Sequence, residues 1–213
     1  MRFVQFAFIR EGSTDDGIGD HLETLLIEAG ADEAIQQARD YSGTTFEKLQ
    51  AVLAEGIPFD AIFVHRDTDR DGHVQREAEI FDAAKSLRDC PPVIPVTPSR
   101  MTEAWLLLDE GAIRAVAGRP SGTSALNLPG LQQVESIADP KSVLKEALAT
   151  ASELRGRDLS HFAAASSFAR QRGVLMQRLD LEGRVRELQA LRRLCEDIAA
   201  FIERAPRSTP RRA

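Results

Sequence analysis

Two stretches of sequence decide the fold. Residues 3–12 are FVQFAFIREG and residues 59–72 are FDAIFVHRDTDRDG. Each begins with a nearly continuous run of apolar, aromatic and β-branched residues, which is typical of a strand buried on both faces of a parallel sheet. Each run then stops at charged residues and a glycine. The pattern predicts two central strands, Phe3–Ile9 and Phe59–His65, each followed by an acidic turn.

Helical and extended segments alternate around these two strands. Further strands are predicted at Glu33–Arg39 and Val93–Val96, and a first helix is predicted after a Ser13 or Thr14 cap. Two more helices are predicted over Thr44–Glu55 and Val74–Arg88, the latter burying Val74, Ala78, Phe81, Ala84 and Leu87. This alternation predicts the α/β class, with a four-stranded parallel, Rossmann-like sheet, helices on both faces and ligands at the carboxyl ends of the strands.

The chain becomes helical after residue 97. Helices are predicted at Met101–Leu108, Asp139–Ala149 and Glu182–Glu203, the last with one apolar seam. The seam consists of Val185, Leu188, Leu191, Cys195, Ile198 and Ile202. We therefore divide the chain into an α/β domain over residues 1–110, a helical C-terminal part over 111–205 packed on it, and a disordered tail over 206–213.

Composition narrows the function classes. The 213 residues carry 27 Lys and Arg against 33 Asp and Glu, a formal charge of −6. No apolar run reaches the roughly 18 residues of a membrane span, so no membrane association is expected. The chain has no GxxxxGK[ST], HExxH or GxSxG motif, and its two cysteines, Cys90 and Cys195, lie far apart. These features predict a cytoplasmic protein with reduced thiols and without its own ATP-binding loop.

Carboxylates at strand ends are the best candidates for chemistry. Glu11 follows the first strand, Asp15 comes four residues later, and Asp67 and Asp69 follow the strand that ends at His65. Because carboxyl ends of parallel strands share one sheet edge, these acids are expected to converge, and hard oxygen ligands suit Mg²⁺ or Mn²⁺. One alternative is a turn that only caps the next helix.

A calcium-binding loop is a further alternative for residues 67–72. The residues alternate as in a DxDxDG loop, but position twelve is Ala78, where such a loop needs a bidentate Glu. The element before the loop is also predicted to be a strand and not a helix. Both features argue against calcium.

Four segments resemble a known family. Glu11–Asp15 and His65–Gly72 resemble the Toprim domain shared by topoisomerases, bacterial primases and overcoming-lysogenization-defect (OLD) nucleases. Together with Arg100–Leu106 and Asp139–Lys141, they resemble more closely a family of small stand-alone bacterial Toprim-like proteins of uncharacterised function. The Toprim resemblance covers about residues 1–97, and the second covers nearly the whole chain.

The resemblance implies Mg²⁺- or Mn²⁺-dependent phosphodiester hydrolysis. Asp15 and Glu103 look like positions that complete a two-metal site in OLD nucleases, although Thr102 stands where those enzymes have Ser. The implied catalytic residues are Glu11, Asp67, Asp69 and Lys141, and the implied metal ligands are Glu11, Asp15, Asp67, Asp69, Asp71 and Glu103. For Lys141 the alternative is an exposed lysine in the first turn of a helix.

The resemblance also implies partners. Nucleic acid, DNA rather than RNA, would be the substrate, and an ATPase would act beside the protein in phage defence or DNA processing. A non-catalytic metal- or nucleic-acid-binding subunit of an ATPase complex is the competing interpretation, and a small-nucleotide phosphohydrolase or nucleotidyl synthase stays open. The arginines at the strand ends (Arg10, Arg66, Arg70 and Arg100) would bind phosphate or serve as internal countercharges. Trp105 is expected to be a core anchor.

Overall fold

A four-stranded, all-parallel sheet organises the first half of the chain. The computed structural model describes residues 1–12, 15–68 and 72–205. The strands are β1 (Phe3–Ile9), β2 (Glu33–Arg39), β3 (Ala61–His65) and β4 (Val93–Val96), in the spatial order β2-β1-β3-β4. This sheet, its flanking helices and the helical C-terminal part confirm the predicted fold class.

Helices fill the connections and most of the chain after β4. Between the strands lie α1 (Asp16–Glu28), α2 (Thr45–Ala54) and α3 (Gly72–Lys85). The later helices are α4 (Glu103–Leu106), α5 (Glu110–Val116), α6 (Leu131–Val134), α7 (Pro140–Ser152), α8 (Gly156–Phe162), α9 (Ala165–Gln177) and α10 (Gln189–Arg204), with a 3₁₀ turn at Arg184–Glu187. No helix in the described ranges is both long and apolar enough to cross a membrane.

The strand order creates a topological switch point between β1 and β3. The connection after β1 leads to β2 on one side, whereas β3 pairs with the other side of β1, with Ile9 opposite Val64. Helices that leave two adjacent strands in opposite directions open a crevice at the carboxyl ends of those strands. The residues that follow Ile9 and His65 therefore occupy the position where such sheets bind ligands.

Both faces of the sheet are buried. Phe6 and Phe63 stack edge to face with ring centroids 4.8 Å apart. A core cluster joins β1, α2, β3 and α3 through Ala7, Ile9, Leu49, Val52, Phe59, Ile62, Val64 and Ile80. Burial on both faces explains why the central strands β1 and β3 are largely apolar, whereas the edge strand β2 carries exposed and half-buried polar residues.

Grouping by contacts divides the described residues into two compact units. The first unit contains residues 1–66, 72–97 and 192–205, and so includes the sheet and most of α10. The second unit contains residues 67–68 and 98–191, in which α4, α5, α7 and α9 pack together. The sequence predicts the division after residue 110 instead. The predicted tail over 206–213 lies outside the described residues.

Three local predictions need correction or qualification. The predicted buried face of α3 is wrong for Val74, Ala78 and Phe81, which are exposed, and Ile80 is the fully buried residue of this helix. Ala84 and Leu87 are partly buried against the core, as predicted. α3 packs against α2 and β4, and that packing selects a different stripe from the one with most apolar residues.

The predicted helix Glu182–Glu203 is interrupted between the 3₁₀ turn and α10. The predicted caps Ser13 and Thr14 lie outside the described residues, and Asp15 occupies the N-cap position of α1.

Candidate functional site at the switch point

Glu11, the first acidic residue after β1, is paired with Arg66, the first residue after β3. Arg66 Nε donates to Glu11 Oε1 over 3.0 Å. Both residues belong to the sheet unit and follow the two strands that flank the switch point. The structure thus brings the predicted Glu11 to the expected edge of the sheet, with a guanidinium as its neighbour.

Arg66 is held in place from two helices as well. Its Nη1 donates to Thr45 Oγ1 over 2.7 Å and to Glu79 Oε1 over 3.2 Å. Thr45 Oγ1 donates to the same Glu79 oxygen, and Arg76 Nη1 donates to Glu79 Oε2 over 2.6 Å. Bonds from α2, α3 and the segment after β1 therefore fix the guanidinium, so its position is preorganised.

The pKa of Glu79 reports this environment. Burial is the largest influence on it and acts to raise the pKa, but the Arg66 charge and hydrogen bonds from Arg76 and Thr45 outweigh it. The net result is a Glu79 pKa below its ordinary value. Glu79 is therefore a second carboxylate that competes with Glu11 for the same guanidinium.

Asp15 is buried beside His65, the last residue of β3. Asp15 is 4% exposed and His65 is 1% exposed, and Asp15 Oδ2 lies 3.4 Å from His65 Nδ1. The same oxygen accepts a hydrogen bond from the Gly12 backbone N–H over 3.1 Å. The turn after β1 thus points a carboxylate into the sheet edge, where its orientation is set by backbone and imidazole together.

Arg10 is an internal countercharge. It forms ion pairs with Asp16, the first residue of α1, and with Asp40, the residue after β2. Together with Arg66, this is the arrangement expected of arginines that neutralise neighbouring acids. Arg70 lies outside the described residues.

Thr68, which belongs to the second unit, anchors the segment that carries Asp67 through two hydrogen bonds. Thr68 is 2% exposed, and its Oγ1 donates to the Pro98 carbonyl over 3.0 Å and accepts from the Arg100 N–H over 2.7 Å. Arg100 has a φ of 62°, in the left-handed region that costs a residue with a long side chain about 1 kcal/mol or more. The bonds to Thr68 hold this conformation. Thr68, the residue directly after the predicted ligand Asp67, is therefore anchored to the segment 98–100.

Glu103, a predicted metal ligand, is buried and paired with Arg172. Its Oε1 accepts from Arg172 Nε over 2.8 Å, and Arg172 Nη2 donates to Thr102 Oγ1 over 2.6 Å. Glu103 and Arg172 are both buried, on α4 and α9. A buried carboxylate already bonded to a guanidinium is costly to separate from it, so the structure offers Glu103 a structural partner.

Lys141 lies exposed in the first turn of α7, next to Pro140 and the Asp139 cap. Asp139 accepts from the Ser142 N–H, as an N-cap residue does. This position matches the exposed-lysine alternative. Trp105 is buried, as the core interpretation predicts.

The donor chemistry at the edge of the sheet suits a hard divalent cation. Glu11 and the buried Asp15 are carboxylates on one turn after β1, and Asp67 follows Arg66 directly in the chain. Over residues 1–12, 15–68 and 72–205, no three His, Cys, Asp or Glu side chains are close enough to form a metal-binding group. Asp69 and Asp71, two of the predicted ligands, lie outside those ranges.

Several residues of this edge were not predicted from the sequence. They are Thr45, Arg76 and Glu79, which hold Arg66, and His65 as the neighbour of Asp15. The spacing of Arg76 and Glu79 on one helix predicts that these two interact with each other. No local pattern indicates that they act on a residue that follows β3.

Comparisons of the chain with protein-family models, with curated proteins and with solved structures gave no match.

Proposed function

We propose that the protein hydrolyses phosphodiester bonds with the help of Mg²⁺ or Mn²⁺. One observation carries the proposal. The carboxyl ends of β1 and β3 lie at the switch point of the sheet, and the segments that leave them begin with Arg10 and Glu11 and with Arg66 and Asp67. Acidic and basic groups placed at this position of a parallel sheet are suited to holding a cation and a phosphate together.

The proposed ligands are Glu11, Asp15, Asp67 and Asp69. When bound, a divalent ion would activate water and neutralise charge on the phosphate. Arg66 contributes a cation that is held by Thr45 and Glu79 independently of Glu11. Arg66 is thereby placed to stay at the edge of the sheet when Glu11 turns toward another partner. We leave Glu103 outside the ligand set, because its carboxylate is bonded to Arg172.

The decisive experiment compares four proteins on two substrates. Supercoiled plasmid and a labelled single DNA strand are incubated with Mg²⁺ or Mn²⁺ and wild type, Glu11→Gln, Asp67→Asn or Asp89→Asn. Asp89 is a matched control, because it is exposed and has a left-handed φ that Asn also adopts readily. We expect cleavage that a chelator abolishes, a loss of at least ~100-fold in the first two variants, and no change in the control. Wild type that cleaves neither substrate with either metal contradicts the proposal for DNA.

A second candidate function follows from the ion pairs of the predicted ligands. Glu11 is bonded to Arg66 and Glu103 to Arg172, and if both pairs persist in the working protein, neither carboxylate is available to a catalytic metal. In that case the protein is a metal- or nucleic-acid-binding subunit of an ATPase complex in DNA processing or phage defence, and it works in a reducing cytoplasm. An inert protein that co-purifies with an ATPase, with the complex also inert toward DNA, favours this function.

A further inference from the structure

An apolar groove lies in the sheet unit, at the starting ends of the strands. It has a volume of about 420 Å³. Aromatic rings from β1, α3 and α10 line it, namely Phe3, Phe81 and Phe201, and Phe3 and Phe81 are 37% and 38% exposed. Exposed aromatic rings that gather in one groove are typical of a binding surface. The proposed hydrolase site uses none of these residues.

Two opposite charges mark the part of α10 that lines the groove. Asp197 and Arg204 both line it, and Ala200 and Phe201 lie between them. Seven residues on a helix separate the two charges by about 10 Å along the axis, on the same face. Neither side chain forms a salt bridge or a hydrogen bond with another residue of the described ranges.

Like-charged neighbours act on the Asp197 carboxylate. Its pKa is raised, first because burial disfavours the charged form and then because Glu77 and Glu196 carry like charge. Arg193 acts in the opposite direction but is itself paired with Glu77. A positive group supplied from outside the chain would relieve this arrangement.

We propose that the groove is the interface with a second copy of this chain, formed by antiparallel packing of α10 against α10. In a two-fold interface, contacts are reciprocal. If Asp197 faces Arg204 of the second copy, then Arg204 faces Asp197 of that copy, and Ala200 faces Phe201. The small Ala200 opposite the large Phe201 leaves room for the ring, so the same stretch complements itself in both charge and volume.

A second copy fits this groove better than a small molecule. The two charges are of opposite sign and two helical turns apart, and the antiparallel copy of the same helix presents the same charges in the reverse order. A small apolar molecule would leave Asp197 and Arg204 without partners. The dimer is independent of the proposed hydrolase activity, because the groove residues and the switch-point residues are different.

Charge reversal tests the interface. In each dimer, Asp197→Arg would place two pairs of arginines opposite each other. Arg204→Asp would place two pairs of aspartates opposite each other. We expect each single variant to weaken dimerisation by at least about tenfold and the double variant to restore it, because its pairs are again opposite in charge. Sedimentation velocity over a range of protein concentrations measures the dimer, and Arg192→Asp is a matched control, because Arg192 is an exposed residue of α10 that does not line the groove.

Wild type that stays monomeric at all concentrations overturns the proposal. So does a wild-type dimer that both single variants leave unchanged. Hydrogen exchange of the wild type gives a second measurement that does not depend on the folding of variants. Exchange within residues 195–205 must slow as protein concentration rises, and exchange that is independent of concentration overturns the interface.

Discussion

The Arg66 network makes a quantitative prediction about metal affinity. Arg66 is shared between Glu11 and Glu79, so neutralising Glu79 leaves Glu11 as the only carboxylate bonded to the guanidinium among the described residues. Glu79→Gln should therefore strengthen the Glu11–Arg66 pair and weaken the binding of Mn²⁺ to Glu11. Arg66→Gln should do the reverse, because it removes a cation that competes with the metal for the same carboxylate.

The size of the effect follows from the geometry. Two unit charges about 4 Å apart interact by about 4 kcal/mol at an effective dielectric constant of ~20. The Arg66 and Glu79 side chains are 19% and 43% exposed, so solvent screening leaves at most about 1 kcal/mol. That free energy corresponds to a change of roughly fivefold in the Kd for Mn²⁺.

Titration of free Mn²⁺ by electron paramagnetic resonance measures the Kd directly. Glu77→Gln is the matched control, since Glu77 lies on the same helix and carries the same charge but bonds to Thr97 and Arg193. Equal Kd values in Glu79→Gln and Glu77→Gln, or an Arg66→Gln variant that binds Mn²⁺ no more tightly than wild type, would refute the competition between Arg66 and metal. Wild type that binds no Mn²⁺ would instead refute the metal site itself.

Three further predictions follow. Mn²⁺ at ~100 times its Kd should stabilise the protein by about 2.7 kcal/mol, and Asp67→Asn or Asp69→Asn should shrink the accompanying rise in Tm; an equal rise in the variants would remove both residues from the ligand set. Thr68→Val should lower the free energy of unfolding in urea by about 1–3 kcal/mol, because it leaves the partly buried Arg100 N–H without its acceptor; a loss below about 0.5 kcal/mol would contradict this. The pKa of Glu55 is lowered, mainly by its hydrogen bond from Arg39, so the charged carboxylate stabilises the fold above the unfolded-state value of about 4.3 and loses this effect as pH falls through the folded-state value. The stability difference between wild type and Glu55→Gln should accordingly be complete at neutral pH and vanish in acid, and a difference independent of pH would exclude the ion pair as its cause.

Much of the fold follows from local sequence patterns. The apolar run Phe3–Ile9 and the residues before His65 have the composition of strands buried on both faces, and both form central strands of the sheet. Thr44 was predicted as the start of a helix, and it caps α2 through a reciprocal capping box with Glu47. These features depend on neighbours in the chain, so the chain alone specifies them.

The side-chain partners at the candidate site could not be predicted in the same way. Glu11 was expected among other acids, and Arg66, 55 positions away, donates a hydrogen bond to it. Arg172 meets Glu103 across 69 positions. Which charges meet depends on how helices pack in space, and neither spacing nor propensity contains that information.

The same distinction applies to the buried face of α3. The sequence determined that this segment is helical, because its apolar residues recur at helical spacing. Only the tertiary structure decided that Ile80 is buried and Phe81 is left at the surface, because packing against α2 and β4 selects one stripe of the helix. Local patterns therefore determined the elements and their order, while the partners of Glu11 and Glu103 and the exposed ring of Phe81 were decided by contacts between segments distant in the chain.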